Sequence, residues 1–321
     1  GKVTITVREK ESKKKARHHI TIEDIPYTSI EFAKNNPVSL ESGTSHKMQL
    51  VTGPANATDH RIKWTSSNKT AATVDENGTV TALRPIETVT ITAVYKTNPA
   101  LTCSWNLKIT RTKGYITKQM LDNLDLTSIK KVMITAHPDD ETLWGGGHLI
   151  EGEYLVVCMT HGWNPKRRTA FEQTMRTTND KYLILDYPDV RKTFSNGKYE
   201  TDMLSTCKNA MQEDINLILS YKKWDLIATH NPFGEYGKFL HKTISQMVTQ
   251  CYNKMTNKSA TLYYFGRYYN SSNKIPGEQI APELLAIKNS MVGRYYPTAK
   301  GAIDAFGHMI PYENWLLPSE W

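Results

Sequence analysis

Cysteine is scarce in this chain. Cys103, Cys158, Cys207 and Cys251 are the only four in 321 residues, and no two are spaced as Cys-x-x-Cys. A cysteine-built zinc site therefore has no basis, and no disulfide framework can be read. Cys158, inside an apolar run, reads as a buried core thiol. Long apolar runs are also missing. None reaches the ~20 residues of a membrane-crossing helix, so no transmembrane segment is expected. No secretory leader stands at Gly1, and since the chain can be a fragment this leaves its compartment open. Acidic residues are outnumbered, 32 against 40 basic, giving a net charge of +8. A basic surface suits a polyanion. Yet no basic helix with interleaved aromatics and no nucleic-acid motif is present, so no nucleic-acid partner is expected. Lys13-Lys-Lys15 with Arg17 is a local cluster in a polar stretch.

What remains is ordinary globular material, 39% hydrophobic. The length predicts two domains, each able to bury its own core. Residues 1–27 read as a strand (Gly1 to Val7), taken as the end of a preceding repeat, followed by a charged linker (Arg8 to His19). From Tyr27 to Thr110 short alternating runs are separated by turn clusters, among them Asp75-Glu-Asn-Gly78. Asn77-Gly78 between Ala72-Thr-Val74 and Thr79-Val-Thr-Ala82 is a strong hairpin signal. Regularly spaced short strands predict an all-β sandwich over residues 28–112. Trp64 reads as a packing residue of that sandwich, with sugar stacking the weaker alternative.

Residues 113–321 change character. Strand-like runs at Lys131 to Ala136, Tyr154 to Thr160, Trp224 to Thr229 and Thr261 to Phe265 alternate with helical stretches. Those lie around Thr117 to Leu124 and at Thr142 to Ile150, Arg168 to Tyr182, Leu204 to Tyr221 and Lys238 to Tyr252. Such alternation predicts an α/β domain with a parallel, Rossmann-like sheet covered on both faces. The first strand runs into Ile134-Thr-Ala-His-Pro-Asp-Asp-Glu-Thr-Leu-Trp-Gly-Gly-Gly147. Asp139, Asp140 and Glu141 would repel one another unless something positive sat among them. With His137 they make a divalent-metal donor set, zinc first. Helix capping explains one aspartate but not four such residues in five positions. Gly145, Gly146 and Gly147 fit no nucleotide loop and read as close packing beside the site. A second constellation, Asp225 to His241, places His241 in the first turn of a helix that follows another strand end.

Ala136-His-Pro-Asp-Asp-Glu141, with the glycines that follow, resembles the motif of the LmbE-like, or PIG-L-like, zinc-dependent N-acetylglucosaminyl deacetylases. The resemblance runs from about Ile129 to the C-terminus. It implies that His137, Asp140 and His241 are zinc ligands, that Asp139 is the general base and that Tyr236 donates to the developing oxyanion. Glu141 would support a ligand or the helix end. Thr160-His-Gly-Trp-Asn-Pro-Lys-Arg-Arg168 is similar to a family loop followed by an arginine. Arg168 is thus a candidate for gripping substrate, with His161 lining the cleft. Gly234-Glu-Tyr-Gly-Lys-Phe-Leu-His241 departs from the family pattern, since Lys238 replaces a histidine that helps the transition state; Lys238 could supply positive charge instead, and His230 and His308 are weaker substitutes. The segment 28–110, with Trp64 and Ala72 to Ala82, resembles the second group of bacterial immunoglobulin-like domains. These resemblances imply a secreted or bacterial cell-surface hydrolase holding Zn2+, with Fe2+ or cobalt as other fillers. Its substrate would be a glycan containing N-acetylglucosamine, such as a cell-wall polymer. The alternative is a non-catalytic surface adhesin or glycan-binding protein that retains the fold.

Overall fold

Period-two patterning governs the first hundred residues and a strand–helix rhythm governs the rest. The computed structural model describes residues 1–190, 192–195, 198–256 and 258–321, with the side chains of 192–195 and 198–202 outside that description. Residues 1–83 and 88–108 form one unit; 84–87 and 109–321 form the other.

In the first unit, β1 (Lys2–Arg8) pairs with β2 (Lys15–Thr21) as an antiparallel ribbon, Val3 opposite Ile20 and Ile5 opposite His18. The expected linker at Arg8 to His19 is therefore in good part a strand. Every residue of the ribbon is exposed. With both faces solvated, lysine and arginine can occupy strand positions, which hides the alternation.

The rest of the unit is all β: β3 (Ser29–Phe32), β4 (Ser39–Glu41), β5 (Ser45–Lys47), β6 (Leu50–Gly53), β7 (Ile62–Ser66), β8 (Ala72–Val74), β9 (Thr79–Ala82), β10 (Ile86–Tyr95) and β11 (Thr102–Thr110). They form a sheet in the order β4-β11-β10-β7, a second in the order β5-β9-β8, and a β3–β6 pair. Val89, Ile91, Ala93 and Tyr95 of β10 are fully buried while their neighbours are not. That is the alternation expected of a sheet with one face in the core. The Asn77-Gly78 hairpin forms as expected: Asp75 accepts from the backbone of Asn77 and Thr79. Gly78 has φ +81°, and a Cβ there would lie 2.5 Å from the Trp64 indole. Trp64 is thus a packing residue, half-buried under the turn.

The second unit contains α1 (Lys118–Asn123), β12 (Lys131–Thr135), α2 (Asp140–Glu151), β13 (Tyr154–Thr160), α3 (Pro165–Thr178), β14 (Lys181–Tyr187), β15 (Lys192–Ser195), β16 (Lys198–Asp202), α4 (Lys208–Tyr221), β17 (Leu226–Thr229), α5 (Gly234–Gly237), α6 (Phe239–Lys254), β18 (Thr261–Tyr264) and α7 (Pro282–Phe306). Five strands make one sheet, β14-β13-β12-β17-β18, with every neighbouring pair parallel. Its two faces have separate cores. Val132, Ile134, Leu155 and Val157 face α4 and α6 residues such as Ile215 and Ile244. Met133, Tyr154, Val156 and Cys158 face Phe171 of α3 and Val292 and Tyr295 of α7.

Several elements differ from expectation, β15 and β16 among them. The helix expected at Arg168 to Tyr182 is α3, earlier by three residues. Asn164 caps its start, accepting from the backbone of Lys166 and Arg167, and Asn179 in the left-handed region (φ 59°) ends it. Tyr182 then lies in β14, a strand the sequence reading missed. The tail from Lys288, given no element, belongs largely to the 25-residue α7.

The tail is stitched into α2. That helix is broken at Gly145 (φ −148°, ψ 17°), which frees backbone groups on either side. Glu313 accepts the freed N–H groups of Gly147 (2.6 Å) and His148 (3.1 Å), and the Trp315 indole donates to the carbonyl of Trp144 (2.7 Å). Lys288, fully buried, pairs with Glu313 at 2.6 Å. A Cβ on Gly146 would lie 2.9 Å from the Lys288 side chain, and one on Gly145 2.7 Å from Met133. The glycine triplet is therefore a packing device, as its sequence suggested.

Candidate metal centre

The sheet reverses its winding between β12 and β17, its first and fourth strands in chain order. In α/β sheets the crevice beyond the strand ends at such a point is where ligands bind. Thr160 at the end of β13 donates to the carbonyl of Ala136 (2.8 Å), and Thr229 at the end of β17 to that of Ile134 (2.9 Å). Both fix the exit of β12. The chain then turns through His137 and Pro138 into α2. Asp139 occupies the N-cap position, but its side chain makes no capping bond. Capping therefore does not account for the acidic run.

Three donor atoms converge beyond that exit. His137 Nδ1 lies 3.0 Å from His241 Nε2 and 3.2 Å from Asp140 Oδ2, and His241 Nε2 lies 3.5 Å from Asp140 Oδ2. All three residues are buried. A tetrahedral ion with bonds of about 2.0–2.1 Å requires donors about 3.3–3.4 Å apart, so the triangle has the size of a metal face. The outer nitrogens are held as well. His137 Nε2 is 3.1 Å from Asp189, and His241 Nδ1 is 2.5 Å from Glu235. Donation to those carboxylates leaves lone pairs on the two facing nitrogens, beside a third acceptor on Asp140. Carboxylate–histidine pairs of this kind orient metal-binding imidazoles. Three acceptors around one point need a positive charge there. Burial opposes charging His137, but its bonds to Asp140 and Asp189 outweigh this and push it up to about 9, while burial pushes His241 down.

The two aspartates are driven apart. Burial and then the charge of Asp140 push the Asp139 carboxyl up. Asp140 is held well below the usual range despite burial, by the charges of His241 and His230 and by bonding to His137. One carboxylate is set to stay ionised and the other, pushed up to about 7, to exchange a proton near neutral pH, a separation that assigns acid–base roles. Asp139 touches Arg167 Nη1 at 3.4 Å, and its own N–H goes to Glu141 at 3.1 Å. Glu141 also accepts from Tyr295 (2.6 Å), tying the turn to α7. Backbone strain gathers here: Asp139 (φ 151°), His161 (φ 66°) and Glu235 (φ 55°) are non-glycine residues at positive φ. Strained backbone clusters at functional sites.

Tyr236, half-exposed, presents its ring 5.8 Å from that of His241, edge to face. Burial and the nearby Asp140 and Asp139 push its phenol up, so it remains a donor near neutral pH. The His161 ring is 5.7 Å from His137. Lys238 is close enough to Asp189 to help lower it. Arg168 is the predicted residue not brought to the cluster: it pairs with Glu172 at 3.0 Å and donates to the carbonyl of Gly162. The arginine that reaches in is Arg167. His308 is bonded to the carbonyl of Tyr269, away from the cluster. His230 is inside it, stacked on His241 at 3.9 Å, with Nε2 accepting the Ala136 N–H and Nδ1 on Glu235. Sequence reasoning missed Arg167, Asp189 and Glu235. Glu235 lies within a stretch already singled out; Asp189 lies in no motif.

Residues 26–104 match the bacterial Ig-like domain (group 2). The uncharacterized protein L374 of Acanthamoeba polyphaga mimivirus is 31% identical over 175 residues, 49% of this chain and 67% of that protein. That stretch is too long to lie in the first unit alone. An uncharacterized protein of Clostridium acetobutylicum is 32% identical over 117 residues, and the chain spans only 12% of its length. Among solved structures, the conserved protein TT1542 from Thermus thermophilus matches at 12% identity and TM-score 0.43, over 60% of this chain and 96% of that one. Invasin, a bacterial integrin-binding protein, matches at 22% identity and TM-score 0.21, over 34% of this chain and 24% of that one.

Proposed function

The chain belongs to one family with the mimivirus protein L374, whose name carries no activity, and from the chemistry of the site we propose that its α/β unit is a zinc-dependent hydrolase. It removes N-acetyl groups from N-acetylglucosamine-containing glycans at a cell surface or outside the cell. The observation that carries this reading is the triangle of His137 Nδ1, Asp140 Oδ2 and His241 Nε2, with each imidazole braced by a carboxylate. Three protein ligands are the pattern of catalytic rather than structural zinc. The strand order, which reads 3-2-1-4-5 counted within the sheet, supports a Rossmann-like fold with the site at its switch point. The Ig-like domain supports the surface location.

His137, Asp140 and His241 would hold the ion. A divalent cation bound there supplies polarisation of an amide carbonyl and acidification of water near neutral pH. Asp139, adjacent to a ligand but outside the triangle, takes a proton from the attacking water. It then returns the proton to the departing amine nitrogen, so that acetate and a free amino sugar leave. Arg167 holds Asp139 through Nη1 and anchors to the carbonyl of Thr298 at 2.9 Å through Nη2. Tyr236 donates to the oxygen on which charge develops.

The test is metal content beside acetate release. About one zinc per chain is expected, lost in His241→Ala. Asp139→Asn should keep the metal and lose most acetate release from N-acetylglucosamine oligomers. Retained activity in that variant sinks the base assignment, and absence of metal from a folded, zinc-supplied chain sinks the hydrolase. A non-catalytic glycan-binding role is the second reading, favoured by Lys238. Metal bound without acetate release from any amino sugar would select it.

A further inference from the structure

A cleft of about 390 Å3 opens beside the centre, walled by Phe233, Tyr236, Tyr268 and Trp321 and bordered by Lys242 and Arg267. Its size falls at the lower end of the ~300–1,000 Å3 of small-molecule sites. Tyr236 and Glu235 belong to both cleft and centre. The aromatic wall is built rather than incidental. Phe233, 65% exposed, pairs with Trp321 at 5.6 Å, and Tyr236 and Tyr268 both pack on Phe306, at 4.6 and 5.4 Å. Flat faces beside a polar border suit a sugar ring, whose C–H face stacks while its hydroxyls stay wet.

The charge of the cleft narrows the ligand further. Glu235 is the one carboxylate side chain among the described residues that line it, and that group is committed to His230, His241 and the N–H of Asn231. Neither Lys242 nor Arg267 has a carboxylate partner among the described residues. The Arg267 guanidinium lies 4.7 Å over the Trp321 ring. Stacking fixes its face and leaves the edge N–H groups, which fork onto carboxylate or phosphate, without a protein partner among the described residues.

We propose that this cleft is a subsite for an anionic sugar, one bearing a carboxylate or a phosphate, joined to the N-acetylated residue at the metal centre. The inference rests on the hydrolase reading for where the reacting sugar sits. Aromatic rings would carry the neighbouring sugar and Arg267 with Lys242 its anion.

The test is calorimetric binding to the zinc-loaded full chain. The probes are a glucuronate–N-acetylglucosamine disaccharide, N-acetylglucosamine 1-phosphate and neutral N,N'-diacetylchitobiose. At least one anionic probe should bind about tenfold more tightly than the neutral one, the size of one charge-assisted hydrogen bond. Arg267→Gln and Lys242→Gln should each shrink that ratio, with zinc content unchanged as the check on folding. Raising salt from about 50 to about 300 mM should weaken only the anionic probe. Preference for the disaccharide assigns a uronate, and preference for the 1-phosphate assigns a phosphate. Equal affinity for all three, or a ratio that survives the double variant, overturns the subsite. Acetate release from the same probes separates the two readings. Anion preference without acetate release leaves the subsite standing and removes the hydrolase, while release from all three with no preference does the reverse.

Discussion

Replacing Glu235 by glutamine tests whether the outer carboxylates organise the metal site. Glu235 Oε2 takes both the His230 Nδ1–H (3.1 Å) and the His241 Nδ1–H (2.5 Å), and Oε1 takes the Asn231 N–H (3.1 Å). All three partners are donors. A glutamine has one acceptor oxygen and one NH2, so whichever way it turns, an NH2 must face a donor. If the oxygen stays on the imidazoles, the charge that strengthens His241 as a ligand is still gone. Against burial, the charges of those histidines hold Glu235 down to about 2, so the wild-type group is a full anion at working pH. Loss of such a partner costs about 10–100-fold in metal affinity, or about 1.4–2.7 kcal/mol. Asp189→Asn should cost less, because its side chain is 32% exposed where that of Glu235 is fully buried, and water can replace it. The assay is zinc competition against a chromogenic chelator, with circular dichroism as the check on folding. If Glu235→Gln binds zinc within about threefold of wild type while His241→Ala does not bind it, the carboxylate does not organise the ligand and the reasoning fails.

Lys288→Met should leave Glu313 buried without its cation and destabilise the chain by about 3–5 kcal/mol, read as a lower urea midpoint; a change below about 1 kcal/mol would show that the pair is dispensable. Arg167→Ala should cut acetate release far more than Arg168→Ala, since Arg167 contacts Asp139 and Arg168 contacts Glu172; the reverse order would restore Arg168 as the functional arginine. Asp180 gives a pH dependence. Burial pushes it up to about 7 from an ordinary value of 3.8, against bonds from Thr178 and the Tyr154 N–H. Between those values the folded chain holds a proton that the unfolded chain lacks, so this group's contribution is favourable in acid and is lost as pH rises through 7. Asp180→Asn keeps an acceptor for Tyr154 and cannot ionise, so its urea midpoint should gain on wild type from pH 5 to pH 8. A constant difference refutes the assignment.

Legibility in the sequence followed how local the determining physics is. The Asn77-Gly78 hairpin needs only a positive φ and two donors to Asp75, all within five residues, and it was read correctly. The buried strands Lys131–Thr135 and Tyr154–Thr160 announce themselves as unbroken apolar runs. β14 did not, because Lys-Tyr-Leu-Ile-Leu-Asp-Tyr continues a helical-looking stretch. Only the left-handed turn at Asn179, which asparagine tolerates, breaks it. The α7 helix was hidden by Pro297 and by Gly293 and Gly301 within it. Its placement is decided by the distant break at Gly145, where the freed N–H groups meet Glu313.

The same distinction divides the candidate site. His137, Asp139 and Asp140 lie within four residues, so their shared chemistry shows in the text. His241 is 104 positions further on, yet it was paired with them because both motifs end parallel strands. What the sequence could not show is the bracing. Asp189 reaches His137 from 52 positions away, and Glu235 turns onto two imidazoles only because its backbone is held at φ 55°. An isolated aspartate beside a proline and a glutamate between glycine and tyrosine carry no distinguishing pattern. Their roles arise only when the sheet brings two strand ends together. That is also why Lys238, conspicuous against the pattern of the deacetylases this stretch resembles, says less about activity than its surroundings do. The donor triangle and its two carboxylates are complete without a histidine there. In the proposed hydrolase the replacement therefore bears on the charge beside Asp189 rather than on whether a metal is held.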